Sequence, residues 1–173
     1  MTLKVIIFYE FFWLFYSVTW YFLINWYNVS MIKIIAGGRK NSDWVLEAVS
    51  EYEKRMRKPF DFEWVFMDEE KLDKYLAYWP FSGREYVICC DERGENISSP
   101  EFSKKLSSAF TNGRDVVILI GGAYGFSGEV REKADFLWSF SKLVFPHRIA
   151  RVMVAEQIYR ASQIAVGGPY HHE

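Results

Sequence analysis

From Met31 onward the chain alternates short, largely apolar runs with segments of helical period. No other feature constrains its fold as strongly. Ile32–Ala36, Phe60–Phe66, Tyr86–Cys90, Val116–Ile120 and Phe136–Phe140 read as strands. Between them Trp44, Val45, Ala48, Val49 and Tyr52 recur at steps of three and four, which predicts a helix capped within Asn41–Asp43 and stopped before Pro59. Further helices are predicted over Glu69–Tyr78, closed by Pro80, and from Ser98-Ser99-Pro100 through Phe110, ended by Asn112-Gly113. A short one follows near Gly128–Lys133, and a long amphipathic one runs from about Arg148 to Ala165 after Pro146, ended by Gly167-Gly168-Pro169. Strands without a polar face are covered on both sides. The pattern therefore predicts an α/β fold, a parallel sheet flanked by helices. Ligands of such sheets sit beyond the carboxyl ends of the strands, which points to the loops after Ala36, Cys90, Ile120 and Phe140.

A chain of 173 residues holds one domain, with room for an appendage. Lys+Arg is 21 against 22 Asp+Glu, a net charge of −1, which excludes a globally basic nucleic-acid coat. Cys89 and Cys90 are neighbours, with no disulfide framework and no CxxC metal spacing, so a reduced, cytoplasmic protein without a bound metal is expected. Residues 1–30 stand apart. They hold twelve aromatic residues and only two charges, Lys4 and Glu10, and none is charged from Phe11 to Val29. A signal peptide fits poorly, for want of a small-residue cleavage site. A membrane anchor fits by length, although Trp and Tyr favour the interface over the bilayer centre. A third reading starts the domain at Met31 and leaves 1–30 as an upstream start artefact, and a fourth packs them on the domain as a strand or helix. The expected division is 1–30 as a hydrophobic extension and 31–173 as the functional domain.

Four constellations could carry chemistry. Gly121-Gly122-Ala123-Tyr124-Gly125 follows the most apolar strand and lets the backbone approach a ligand closely; it is GGxxG and not the dinucleotide fingerprint, and a tight turn alone would explain it. Ser139 to His147 runs from a strand end through a polar stretch to Pro146-His147 at a helix start, where the helix dipole disfavours a cation. Arg148 and Arg151 share a helix face, and Glu156 and Arg160 are spaced as an ordinary surface ion pair. All three histidines, His147, His171 and His172, fall in the last 27 residues, and from Lys142 to His172 four Lys/Arg face one acid, Glu156. A basic end on a near-neutral chain suits a phosphate-bearing ligand or RNA, or is simply a solvated face. A second basic cluster holds Lys54, Arg55, Arg57 and Lys58.

Taken in order and spacing, these segments resemble the SPOUT-class rRNA methyltransferases of the RlmH family. The resemblance rests on Asp91-Glu92-Arg93-Gly94, Gly113-Arg114-Asp115, Ile120 to Gly125, Ser139 to His147, Arg151, Glu156 to Ala161 and Pro169-Tyr170-His171, and it covers residues 31–173. It implies a SPOUT-type fold with a C-terminal trefoil knot, which no reading of periodicity would propose. It implies S-adenosylmethionine as cofactor, held by Cys90, Gly121, Phe140, Ser141, Lys142, Leu143, Val144 and Phe145. It also implies a homodimer in which one tail helps complete the partner's site, and methylation of N3 of a pseudouridine in helix 69 of 23S rRNA, on ribosomes. Arg160, Tyr170, His171 and His172 are the candidates for stabilising or deprotonating the uracil ring. The chain departs from the family in a shorter connection from Met67 to Tyr86, in His172 where the family has Lys or Arg, and in residues 1–30. A non-enzymatic RNA- or ribosome-binding module with a decayed pocket, and a membrane-tethered protein, are the competing expectations.

Overall fold

The computed structural model describes residues 31–38 and 43–170. The readings of residues 1–30, of Asn41 and Ser42 in a helix cap, and of His171 and His172 lie outside the described residues. Five strands, β1 (Ile32–Gly37), β2 (Phe62–Met67), β3 (Glu85–Asn96), β4 (Asp115–Ile120) and β5 (Phe136–Ser139), form one parallel sheet in the order β2-β1-β4-β3-β5. Between and after them come α1 (Asp43–Glu53), α2 (Glu69–Ala77), α3 (Ser99–Thr111), α4 (Gly128–Lys133) and α5 (His147–Ala165).

The apolar runs are explained by burial on both faces. Ile34, Ala36, Ile88, Val116, Ile118 and Ile120 point to one side, where Phe102 and Leu106 of α3 and Val154 and Ile158 of α5 cover them. Ile35, Val87, Cys89, Val117 and Leu119 point to the other, against Leu72 and Leu76 of α2 and Val130 of α4. Each fully buried side chain of this size contributes about 1.5–3 kcal/mol. Val45 and Val49 join α1 to Ala155 of α5 in a smaller cluster on the first side.

Helix ends follow the local chemistry. Ser98 caps α3 in a reciprocal box with Glu101, Pro100 sits in its first turn, and Gly113 leaves it at φ +66°, where a side chain would be strained. Asp135 holds the sheet edge together: it accepts a hydrogen bond from Val87 N (2.8 Å) and pairs with Arg114 (2.8 Å).

One element differs from its sequence reading. β3 does not stop at Cys90 but continues to Asn96. Cys90 and Glu95 both pair with Trp138, so Asp91–Gly94 form a strap that bulges before the ladder resumes at Glu95 and Asn96. The strap lies directly on β5. A Cβ on Gly94 would come 2.6 Å from the carbonyl carbon and oxygen of Leu137 and 2.8 Å from Trp138 N. Beyond it the polar Glu95 and Asn96 pair with β5 through their backbone, a bond that leaves no trace in hydrophobic periodicity.

Candidate active site

Beyond the carboxyl ends of β4 and β5, where β3 bulges after Cys90, lies a cavity of about 210 Å³. Three segments wall it: the strap through Asp91, Glu92 and Arg93, the glycine turn from Gly121 to Gly125, and the loop after β5 through Phe140, Ser141, Leu143, Val144 and Phe145. Cys90, Ile120 and Trp138 form its floor, and His147 and Ala150 of α5 close one side.

Each wall has a local cause. Gly121 is buried, and a Cβ there would lie 2.9 Å from Gly125 Cα and 3.0 Å from its carbonyl carbon. The turn closes through a hydrogen bond from Gly125 N to Gly122 O (3.2 Å). The loop is shaped by its own serines. The Ser139 hydroxyl donates to Ser141 O (2.7 Å), the Ser141 hydroxyl accepts from Leu143 N (2.8 Å), and Asn96 at the end of β3 donates to Ser139 O (3.0 Å). Trp138 stacks on Phe102 at 4.0 Å between ring centroids and meets Phe140 edge-on at 4.6 Å, which fixes an apolar floor.

The site contains both neutral and charged groups. Burial, then the charges of Cys89 and Asp91, push the Cys90 thiol well above its ordinary value, so it stays a neutral thiol. Asp91 is buried yet paired, with Arg93 at 3.5 Å and Arg131 at 3.6 Å, and accepts from Arg93 N (3.0 Å). His147 is held below its usual value by desolvation, then by Arg151 and Arg148, against the opposing pull of Glu69. It is the neutral imidazole at pH 7. Arg151 is fully buried under the end of β1, donates to Gly37 O (2.7 Å), and lies over the Phe66 ring.

Arg160 and Tyr170 lie elsewhere. They line a second hollow with Tyr159, Gln163 and Pro169. Glu156 organises this group. It pairs with Arg160 (2.9 Å from Nε), accepts from Gln157, and accepts from the Tyr170 hydroxyl at 3.4 Å. The Arg160 guanidinium lies 4.9 Å from the centre of the Tyr170 ring. Burial, then Tyr52 and Glu156, push the Tyr170 phenol up to about 12, so it keeps its proton at neutral pH. Arg160 is ten residues beyond Ala150, the last residue of α5 on the cavity. That is about 15 Å along the helix axis.

Of the eight expected cofactor residues, the cavity gathers Cys90, Gly121, Phe140, Ser141, Leu143, Val144 and Phe145. Lys142 belongs to the same loop, but its exposed side chain is not part of the lining. Sequence reasoning gave no role to Asp91, Glu92, Arg93, Trp138 or Ala150. The polar run Asp91-Glu92-Arg93-Gly94 after a buried strand was the available signal. Among the described residues, no group of three or more His, Cys, Asp or Glu is placed to hold a metal ion, and no helix is long and apolar enough to cross a membrane.

The family described as "Predicted SPOUT methyltransferase" matches residues 31–171. The chain is 36% identical over 156 residues to the ribosomal RNA large subunit methyltransferase H of Methylobacillus flagellatus, a match covering 82% of this chain and 99% of that one. The protein of that name from Desulfitobacterium hafniense is 37% identical over 156 residues, covering 81% and 98%. Among solved structures, a probable methylase family protein from Haemophilus influenzae Rd KW20 is similar in fold, with a TM-score of 0.51 at 13% identity, over 82% of this chain and 70% of that one.

Proposed function

The chain belongs to the SPOUT methyltransferase family and is an S-adenosylmethionine-dependent rRNA methyltransferase, and we propose that its target is N3 of a pseudouridine in helix 69 of 23S rRNA, methylated on the assembled ribosome in the cytoplasm. The observation that carries the site assignment is the gathering of the strap, glycine turn and 140–145 loop around one cavity at the strand ends. Its chemistry fits the cofactor. An apolar floor of Ile120, Trp138 and Phe140 suits an adenine ring, a neutral Cys90 leaves no competing thiolate, and a glycine turn offers backbone groups at close range. A C-terminal trefoil knot around this cavity is part of the same proposal.

Bound there, S-adenosylmethionine supplies a sulfonium methyl to the acceptor nitrogen. The protein has to hold the uracil ring in line with that methyl and manage the charge left when N3 loses its proton. Arg160 is always charged and presents a planar fork of donors, which suits stabilisation of negative charge spread over O2, N3 and O4. Tyr170 retains its proton and acts as a donor. Of the four candidates, only the imidazoles of His171 and His172 are of a type that accepts a proton at neutral pH.

Reacting atoms must approach to about 3–3.5 Å. A separation of about 15 Å along α5 keeps Arg160 from a ring held at its own chain's cavity. The arrangement works if two copies pair so that the tail cluster of one protomer faces the cavity of its partner. Mixed dimers test this. Gly121→Val and Arg160→Ala chains, each inactive alone, should regain activity when co-assembled, because one of the two sites then has an intact cavity and an intact tail. No regain would place both clusters in one chain.

The target is tested by incubating the full-length protein with S-adenosylmethionine and ribosomes that carry the pseudouridine but lack its methyl. The helix 69 fragment is then read by mass spectrometry. One added methyl on that pseudouridine is expected, and residues 31–173 alone should perform as well. A methyl elsewhere on the rRNA would overturn the proposed target.

A further inference from the structure

The glycine turn is held from behind by a residue outside the cavity lining. Glu69, the first residue of α2, accepts a hydrogen bond from Ala123 N at 3.2 Å across 54 residues of sequence. Its carboxyl fills the space beside Gly122, where a Cβ would collide with Cγ, Cδ and Oε1 of Glu69. Gly122 is not among the residues at positive φ. Its lack of a side chain therefore answers to this carboxyl and not to backbone strain. On the other side the end of β1 presses in, since a Cβ on Gly37 would stand 2.9 Å from Gly122 N. The turn is thus clamped between β1 and Glu69, while its five residues, Gly121 to Gly125, line the cavity.

A turn with three glycines in five residues has many conformations open to it, and ordering it at the moment of binding would weaken affinity. An acid in the first turn of a helix is favoured by the helix dipole, so a carboxyl acceptor suits the position of Glu69.

We propose that Glu69 is a positioning residue for cofactor binding: by holding the Ala123 amide and filling the space at Gly122, it keeps the glycine turn in the shape that walls the cavity. This rests on the reading of that cavity as the S-adenosylmethionine site.

The test is calorimetric binding of S-adenosylmethionine to the full-length protein, with melting temperature alongside. Glu69→Ala should weaken binding about tenfold through loss of a charge-assisted hydrogen bond. Glu69→Gln keeps an accepting oxygen and should stay within about threefold of wild type. Gly122→Ala forces the carboxyl aside and should weaken binding as Glu69→Ala does. The double variant should be no worse than either single one, because both remove the same contact. Wild-type affinity in Glu69→Ala, an equal loss in Glu69→Gln, or additive losses in the double variant would overturn the proposal. Failure of the wild-type protein to bind S-adenosylmethionine would instead overturn the assignment of the cavity.

Discussion

Replacing Gly94 by alanine asks whether the strap lies on β5 as described. The added Cβ would meet three backbone atoms, Leu137 C and O at 2.6 Å and Trp138 N at 2.8 Å. Backbone in a paired strand cannot swing aside as a side chain can. The strap must therefore lift by roughly 0.8 Å to reach ordinary contact, straining the pairing of Glu95 with Trp138 and Asn96 with Ser139. Overpacking of this kind costs about 1–3 kcal/mol. At about 3 °C per kcal/mol for a domain of this size, the melting temperature should fall by about 3–9 °C. Cofactor affinity should fall with it, because Asp91, Glu92 and Arg93 of the strap line the cavity. Gly128→Ala is the control. At that position, in the first turn of α4, the new Cβ meets only Arg131 Nη2 at 3.9 Å and no positive φ is required. It should stabilise by about 0.4–1 kcal/mol, through a less flexible unfolded chain. One chemical change at two glycines thus has opposite expected signs. Thermal unfolding by circular dichroism reads both, and a Gly94→Ala protein melting at or above wild type would refute the reasoning.

Gly121→Val places a branched side chain where a single Cβ already meets Gly125 backbone at 2.9 Å. Calorimetry should show no S-adenosylmethionine binding while circular dichroism shows a folded protein; normal affinity would remove Gly121 from the site. Arg160→Lys keeps the charge but loses the fork held by Glu156. Methyl transfer should slow by about a hundredfold with cofactor affinity unchanged, and an unchanged rate would deny Arg160 a part in catalysis. His147 is harder to protonate in the folded protein than in the unfolded chain, by burial first and by Arg151 and Arg148 next. The unfolded chain therefore binds more protons as pH falls below the ordinary histidine value, and stability is lost from about pH 6.5 downward. His147→Gln should flatten the fall in melting temperature between pH 7 and pH 5, and an unchanged slope would assign that fall to other groups.

The sheet was legible because both of its faces are buried. Val116–Ile120 carries no polar side chain, and its alternate residues go to opposite cores, so its limits are where the apolar run ends. Helix ends were legible because serine, proline and glycine act locally: Ser98, Pro100 and Gly113 bracket α3 within a residue of the reading. Strand order was not, because the passage from β2 across to β3 skips two strands, and nothing local records which strands a connection skips. The strap was missed for a related reason. Glu95 and Asn96 pair through backbone atoms that every residue carries, and only Gly94, against the β5 backbone, bears a mark of the contact in its identity.

The site shows the same division between local and distant causes. Gly121 and the 140–145 loop follow the carboxyl ends of their strands, Cys90 stands where β3 bulges beside them, and three neighbouring strands bring the three segments to one cavity. Motif order along the chain then invites adding Arg160 and Tyr170, which follow on the next helix. The helix itself separates them: its rise carries Arg160 about 15 Å beyond Ala150, and Glu156 and Tyr159 hold Arg160 and Tyr170 there as a group of their own. Proximity in sequence on a helix is distance in space once it exceeds a few turns. A chain that needs both groups at one uracil ring must bring the second from another copy, and a rigid, buried α5 makes that the direct route. Val154 and Ile158 are fully buried between the two groups. Bending α5 to join them within one chain would expose a core that contributes several kcal/mol, whereas pairing two copies leaves that core intact.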